Sequence, residues 1–132
     1  MKLGVICDGI SRDLSHALRV MDEFGLDYAE LQFVWDKEVG DHDASEIAQI
    51  KELLDTHNKP VSCLSRHIFA GLTTASKAGD KDHTRHMDYL KRVIEMAHQL
   101  NCPLVRIMTS KKEQILWGAN GAEHWNVAKG AW

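Results

Sequence analysis

Polar side chains lie on or just after three segments whose patterns predict β-strands. His67 follows the apolar part of VSCLSRHIF, Glu30 and Gln32 alternate with apolar residues in YAELQFVW, and Arg106 does so in LVRIMT. A neutral imidazole at a strand end can bind a metal ion, polarise a carbonyl or transfer a proton. His67 is therefore the candidate catalytic residue. The alternative is a histidine that hydrogen-bonds to a neighbouring loop.

Charged and polar side chains on the face of a buried strand need partners, because an unpaired buried charge is very costly. Glu30, Gln32 and Arg106 are expected to share one face of the sheet, where they either bind a substrate or pair with each other. A structural ion pair between Glu30 and Arg106 stays open beside the substrate-binding role. Trp35, at the end of the strand that carries Gln32, is a candidate apolar wall for the substrate. Arg66 should face away from His67 unless the strand bulges.

The stretch ILWGANGAEHW, residues 115–125, matches neither a helical nor a strand period. Its two glycines permit positive φ and close approach. Trp117 offers an apolar wall, and Glu123 and His124 could contact a hydroxyl group. We predict that residues 110–132 form a loop after the fourth strand, where they contact substrate, or a tail.

Other sequence features point away from several functions. His83 and His86 in HTRH fall in the first turns of a predicted helix, so we expect a solvated surface pair. No GxxxxGK[ST], GxGxxG or GxSxG motif occurs, which argues against nucleotide binding and serine hydrolase chemistry. The net charge of -3, with Lys and Arg scattered, argues against nucleic acid as a partner.

Composition predicts a single domain over residues 1–132, without a membrane span. The three cysteines stand far apart, which favours reduced thiols in core positions and a cytoplasmic protein.

Strand and helix patterns alternate along the chain, which predicts parallel βαβ units. Asp13 can cap a helix that ends at Gly25, and Asp43 with Glu46 resembles a capping box. The predicted strands cover 2–7, 28–35, 61–69 and 104–109, and the predicted helices cover 13–25, 43–58 and 80–101. On the third helix the expected apolar face carries Met87, Leu90, Ile94 and Ala97.

Two architectures share this alternation, namely an open doubly wound sheet and a (β/α)8 barrel. A central strand of a doubly wound sheet is apolar on both faces. The second and fourth strands here alternate apolar with polar residues, which favours a barrel interior. Because such a barrel needs roughly 250 residues, four strands and three helices make half of one.

The chain resembles the sugar phosphate isomerase/epimerase family of the xylose-isomerase-like barrel superfamily. The matching segments are KLGVICDGI, MDEFGLDYAELQFVW, VSCLSRHIF and AHQLNCPLVRIM. The resemblance implies a TIM barrel of which this chain is the N-terminal half, and a divalent metal, Mn or Mg, held by Glu, Asp and His. In that family most of these ligands come from the fifth strand onward, so the metal ligands of this chain are left unassigned. Whether the isolated chain is active or is an inactive fragment of such an enzyme stays open.

The resemblance also implies the function. We expect a sugar or sugar-phosphate isomerase or epimerase that transfers a proton next to a carbonyl, with a small sugar as partner and a homo-oligomer as the assembly. Open strand edges and an uncovered face support the homo-oligomer. The alternatives are an apurinic-site endonuclease-like metal hydrolase and a non-catalytic half-barrel interaction module.

Overall fold

The computed structural model describes residues 1–73 and 76–109. The elements in chain order are β1 (Gly4–Ile6), a 3-10 turn (Cys7–Gly9), α1 (Leu14–Glu23), β2 (Tyr28–Leu31), β3 (Phe33–Val34), β4 (Lys37–Glu38), α2 (Ala44–Thr56), β5 (Val61–Leu64) and α3 (Lys81–Gln99). The three strands β1, β2 and β5 form a parallel sheet in the order β1-β2-β5. The predicted α/β fold with parallel βα units is thus confirmed, with a strand order consistent with part of a (β/α)8 barrel.

The first two helices begin where their capping residues predict. The Asp13 carboxylate accepts hydrogen bonds from the backbone N–H groups of the first turn of α1. At α2, Asp43 accepts from the backbone of Glu46, and the Glu46 side chain accepts from the backbone of Asp43 at 2.8 Å. This reciprocal pair is the predicted capping box, and it satisfies donors that the helix itself leaves free.

The register of the sheet separates an outer face from an inner one. Ala29 and Leu31 are fully buried in the hydrophobic core that includes residues of α1 and α2. Glu30 lies between them and pairs in register with Ile6 on β1 and Cys63 on β5. Since successive side chains of a strand point to opposite faces, Glu30 projects to the inner face.

The predicted second strand divides at Gln32. β2 ends at Leu31, and β3 leaves the sheet to pair with β4 in a short antiparallel hairpin. Phe33 is consequently half-buried and does not continue the apolar row of Leu31. The hairpin turn is at Trp35, whose φ of +54° is unusual for a bulky residue.

The predicted fourth strand is a single bridge in the part of the chain that the structure describes. Leu64 pairs with Val105 in parallel, through Leu64 N–H to the Leu104 carbonyl at 3.0 Å and Arg106 N–H to the Leu64 carbonyl at 2.9 Å. Beyond this bridge, the Met108 N–H turns to the Ile68 carbonyl, outside β5. The expected count of four strands was therefore wrong for the described residues, where the parallel sheet has three.

The buried face of α3 differs from the expected one. It carries His86, Val93, Met96 and Ala97, whereas Ile94 is 41% exposed. A close approach to the hairpin sets this face. Gly40 has φ +90°, and a Cβ there would lie 2.7 Å from Cγ2 of Val93. Glycine lets the backbone after β4 contact α3 directly.

The three cysteines are free thiols. Burial raises the pKa of the Cys7 thiol to about 12, and burial also raises the pKa values of the half-buried Cys63 and Cys102. The prediction that the cysteines occupy core positions is therefore confirmed for Cys7, whereas Cys63 and Cys102 are only half-buried. Within residues 1–73 and 76–109, no helix combines the length and the apolar character needed to cross a membrane.

Candidate active site

Gln32 and His67 lie together just beyond the carboxyl ends of β2 and β5. The Gln32 amide nitrogen is 2.9 Å from Nδ1 of His67 and 3.0 Å from its Nε2. The His67 side chain is 49% exposed, so one part of the imidazole is open to a ligand. In parallel βα folds ligands bind at this edge of the sheet. The two predicted site residues are therefore neighbours, at the edge where a substrate would bind.

Glu38 completes this cluster, and sequence reasoning missed it. Its Oε1 accepts the backbone N–H of His67 at 3.0 Å and lies 3.0 Å from Nδ1 of the same residue. The Glu38 side chain is 18% exposed. We call Gln32, Glu38 and His67 the histidine cluster. Glu38 reaches it because the β3–β4 hairpin folds back over the end of β5.

Arg66 lies behind the histidine cluster and is 4% exposed. Its Nη1 donates to the Val39 carbonyl at 2.8 Å, its Nη2 is 2.9 Å from Oδ2 of Asp41, and its guanidinium carbon is 4.1 Å from the ring centroid of Tyr89. Its Nε is 3.4 Å from Oε2 of Glu38, an ion-pair contact without hydrogen-bond geometry. As expected, Arg66 faces away from His67, toward α3.

Asp41 joins Arg66 to α3. Burial opposes its charge, but hydrogen bonds from Arg66 and Arg92 outweigh that effect and lower the pKa of Asp41. The Arg92 bond is 2.7 Å long, and Arg92 also donates to the Gly40 carbonyl at 2.9 Å. The segment after β4 is therefore fixed from both sides, which fixes the position of Glu38.

Glu30 and Arg106 meet on the inner face of the sheet. Arg106 Nη1 is 3.9 Å from Oε1 of Glu30, and its Nη2 donates to the Ser65 carbonyl at 2.5 Å. Of the two roles left open by the sequence, the ion pair has direct structural support. At 3.9 Å, with both side chains about one-third exposed, it is a weak pair. Substrate binding by either residue stays a prediction.

Trp35 occupies a different position from the expected one. It lies in the hairpin turn rather than at the end of a long strand, and its backbone N–H donates to the Arg12 carbonyl at 2.7 Å. Its ring meets the buried His42 edge-on, with centroids 6.0 Å apart. This packing shows a structural role for Trp35, and its role as a wall of the substrate site stays a prediction.

The predicted loop residues Trp117, Glu123 and His124 lie outside the described residues, as does the 110–132 segment. The surface-pair prediction for His83 and His86 was wrong for His86, which is 7% exposed. Its Nδ1 accepts the Phe69 N–H at 3.0 Å, and burial, followed by the charge of Arg85, lowers the pKa of His86. Helical position alone did not reveal that the loop after β5 packs over this histidine.

A divalent metal requires more ligands than the described residues supply. Among residues 1–73 and 76–109, no group of three or more His, Cys, Asp or Glu side chains is placed to hold an ion. His67 and Glu38 offer two donor side chains, and Nδ1 of His67 is already directed at Glu38. These residues alone do not fit a metal site.

Comparisons with known proteins agree with the fold. The profile of the family described as xylose isomerase-like TIM barrel matches residues 18–132, which is most of the chain. Neither the curated proteins nor the solved structures gave a match.

Proposed function

Because the chain belongs to the xylose isomerase-like TIM barrel family, we propose that it serves a sugar or sugar-phosphate isomerase or epimerase, with its histidine cluster on the substrate side. One observation carries this proposal. A half-exposed imidazole lies at the carboxyl edge of the parallel sheet and is held by a carboxylate and an amide. Family membership gives the class of reaction, and the cluster supplies groups suited to it.

The reaction moves a proton between carbons next to a carbonyl, through an enediolate. A histidine at hydrogen-bond distance from a sugar oxygen can take a proton from a hydroxyl group and return it to the oxygen of the former carbonyl. The Gln32 amide can both donate to and accept from sugar hydroxyls. His67 is thus the proposed proton-transfer group at oxygen, and Gln32 the proposed sugar-binding group. The base that acts at carbon is not assigned.

Mn or Mg is the proposed cofactor, on the family resemblance alone. The described residues provide only part of a ligand set, so further ligands are needed. We also propose a cytoplasmic location, which the free thiols support.

The test is product formation from a panel of aldoses, ketoses and their phosphates, with Mn²⁺ or Mg²⁺ present. His67→Asn should lower the rate by about 10²–10⁴-fold, the usual contribution of a positioned acid or base. His98→Asn changes an exposed histidine of α3 and should leave the rate unchanged. The proposed function would be refuted if no sugar gave an isomer or epimer with either metal. Equal rates in His67→Asn and His98→Asn would show that His67 takes no part in the reaction.

A further inference from the structure

The backbone N–H of His67 and the Nδ1 atom of its ring converge on a single oxygen atom. Oε1 of Glu38 accepts the backbone N–H at 3.0 Å and lies at the same distance from Nδ1 of the ring. A carboxylate has lone pairs but no proton to donate. The contact with Nδ1 is therefore a hydrogen bond only when Nδ1 carries the proton. The backbone bond to the same oxygen fixes where that oxygen lies relative to the ring.

The other oxygen of Glu38 is held on the opposite side. Oε2 lies 3.4 Å from Nε of Arg66, and attraction between the charges turns this oxygen toward the protein interior. Arg66 itself is fixed by Val39, Asp41 and the Tyr89 ring. Rotation of the carboxylate away from His67 would break the contact with Arg66. Glu38 is consequently held at the orientation that faces Nδ1.

Gln32 does not distinguish the two ring nitrogens, because its amide nitrogen lies 2.9 Å from Nδ1 and 3.0 Å from Nε2 of His67. The assignment of the ring proton therefore rests on Glu38. With the proton on Nδ1, Nε2 carries the lone pair of the neutral ring and could accept a proton from a sugar hydroxyl.

We infer that Glu38 is a positioning residue that keeps the proton of neutral His67 on Nδ1 and leaves Nε2 as the proton acceptor toward the substrate. The substrate side of this inference rests on the proposed function, whereas the position of the ring proton does not. An imidazole free in water prefers its proton on Nε2. Without Glu38, the nitrogen that faces the substrate would become a donor, and the proton transfer from a hydroxyl would be lost.

The tautomer can be read directly from long-range ¹H–¹⁵N correlation spectra of ¹⁵N-histidine-labelled protein, at about pH 8, above the usual histidine pKa of about 6.5. The wild-type chain should show the Nδ1–H form at His67. Glu38→Ala should convert it to the Nε2–H form, whereas Glu38→Gln, which keeps an acceptor oxygen, should retain Nδ1–H. Glu95→Ala removes an exposed carboxylate of α3 and should change nothing.

Two results would overturn the inference. One is an Nε2–H tautomer in the wild-type protein, a result that needs no variant to fold. The other is a folded Glu38→Ala protein, checked by circular dichroism, that keeps Nδ1–H. The measurement uses no sugar, so it separates the two proposals. If the tautomer of His67 does not depend on Glu38, the proposed role of Glu38 is wrong even if sugars are turned over. If no sugar is turned over, the tautomer result still stands.

Discussion

Replacement of Arg66 by methionine tests the buried network that supports the histidine cluster. Methionine keeps much of the volume of the side chain but removes the guanidinium, which is 4% exposed. The Val39 carbonyl then loses a 2.8 Å hydrogen bond, and Asp41 loses a partner at 2.9 Å. Removing one member of a buried pair is destabilising because it leaves the other member without compensation.

The magnitude follows from these partners. A buried carbonyl without its donor costs about 1–3 kcal/mol, and a hydrogen bond to a charged group contributes about 1.5–3 kcal/mol. Asp41 keeps its contact with Arg92 at 2.7 Å and is 37% exposed, so the loss of its bond to Arg66 should cost an amount near the lower end of that range. The expected loss in the free energy of unfolding is about 3 kcal/mol, or about 10 °C in Tm for a chain of this size.

Urea unfolding followed by circular dichroism gives this free energy, and Arg85→Met is the matched control. Arg85 also lies in an ion pair, with Asp82 at 3.0 Å, but the two side chains are 52% and 62% exposed. Such a pair contributes roughly 0.2–0.5 kcal/mol. If Arg66→Met lowers the free energy of unfolding by no more than Arg85→Met does, the buried network around Arg66 does not support the histidine cluster as described.

Three further predictions concern the surroundings of the site. The lowered pKa of His86 means that the unfolded chain binds a proton more readily than the folded one, so the free energy of unfolding should fall as pH drops below about 6.5. Urea unfolding at several pH values should show a smaller fall in His86→Phe than in the wild-type protein. An identical fall in both would contradict this prediction. Gly40→Ala and Gly79→Ala share φ near +90°, but only at Gly40 would the Cβ meet Val93, at 2.7 Å. Gly40→Ala should therefore lower the free energy of unfolding by about 1–3 kcal/mol more than Gly79→Ala does, and equal losses would argue against that contact. Leu104, Ile107 and Met108 are 62%, 56% and 40% exposed, and exposed apolar side chains favour association with a second copy of the chain. Native mass spectrometry should therefore find a homo-oligomer, and Ile107→Glu should weaken it. A wild-type monomer would contradict self-association.

Local signals predicted much of the fold. The capping box of Asp43 and Glu46 depends on residues three positions apart, so the chain shows it without any tertiary knowledge. The face of α3 depends on its packing partner and was misplaced. His86 is a polar residue on the buried side, which interrupted the apolar pattern and shifted the expected face toward Ile94.

The site was predictable to the extent that it depends on strand ends. His67 was predicted at a strand end as the catalytic residue and Gln32 on the inner strand face as a substrate-binding one, and the parallel order of β2 and β5 brings the two together. Glu38 was hidden in a polar segment, because its contact with His67 depends on a hairpin that starts where β2 breaks. The sequence VWDKEV holds a possible two-residue turn between short extended segments, which is the one signal that could have suggested this hairpin.

The proposed function requires proton transfer at the carbon next to a sugar carbonyl, and His67 is proposed to move the accompanying proton at oxygen. Solvent deuterium reports that transfer most directly. The chain is incubated in D₂O with each ketose or ketose phosphate and Mg²⁺ or Mn²⁺, and the recovered sugar is analysed by mass spectrometry. We predict deuterium at the carbon next to the carbonyl for at least one sugar, with a rate about 10²–10⁴-fold lower in His67→Asn. No deuterium above the protein-free control in any sugar would contradict the proposed function.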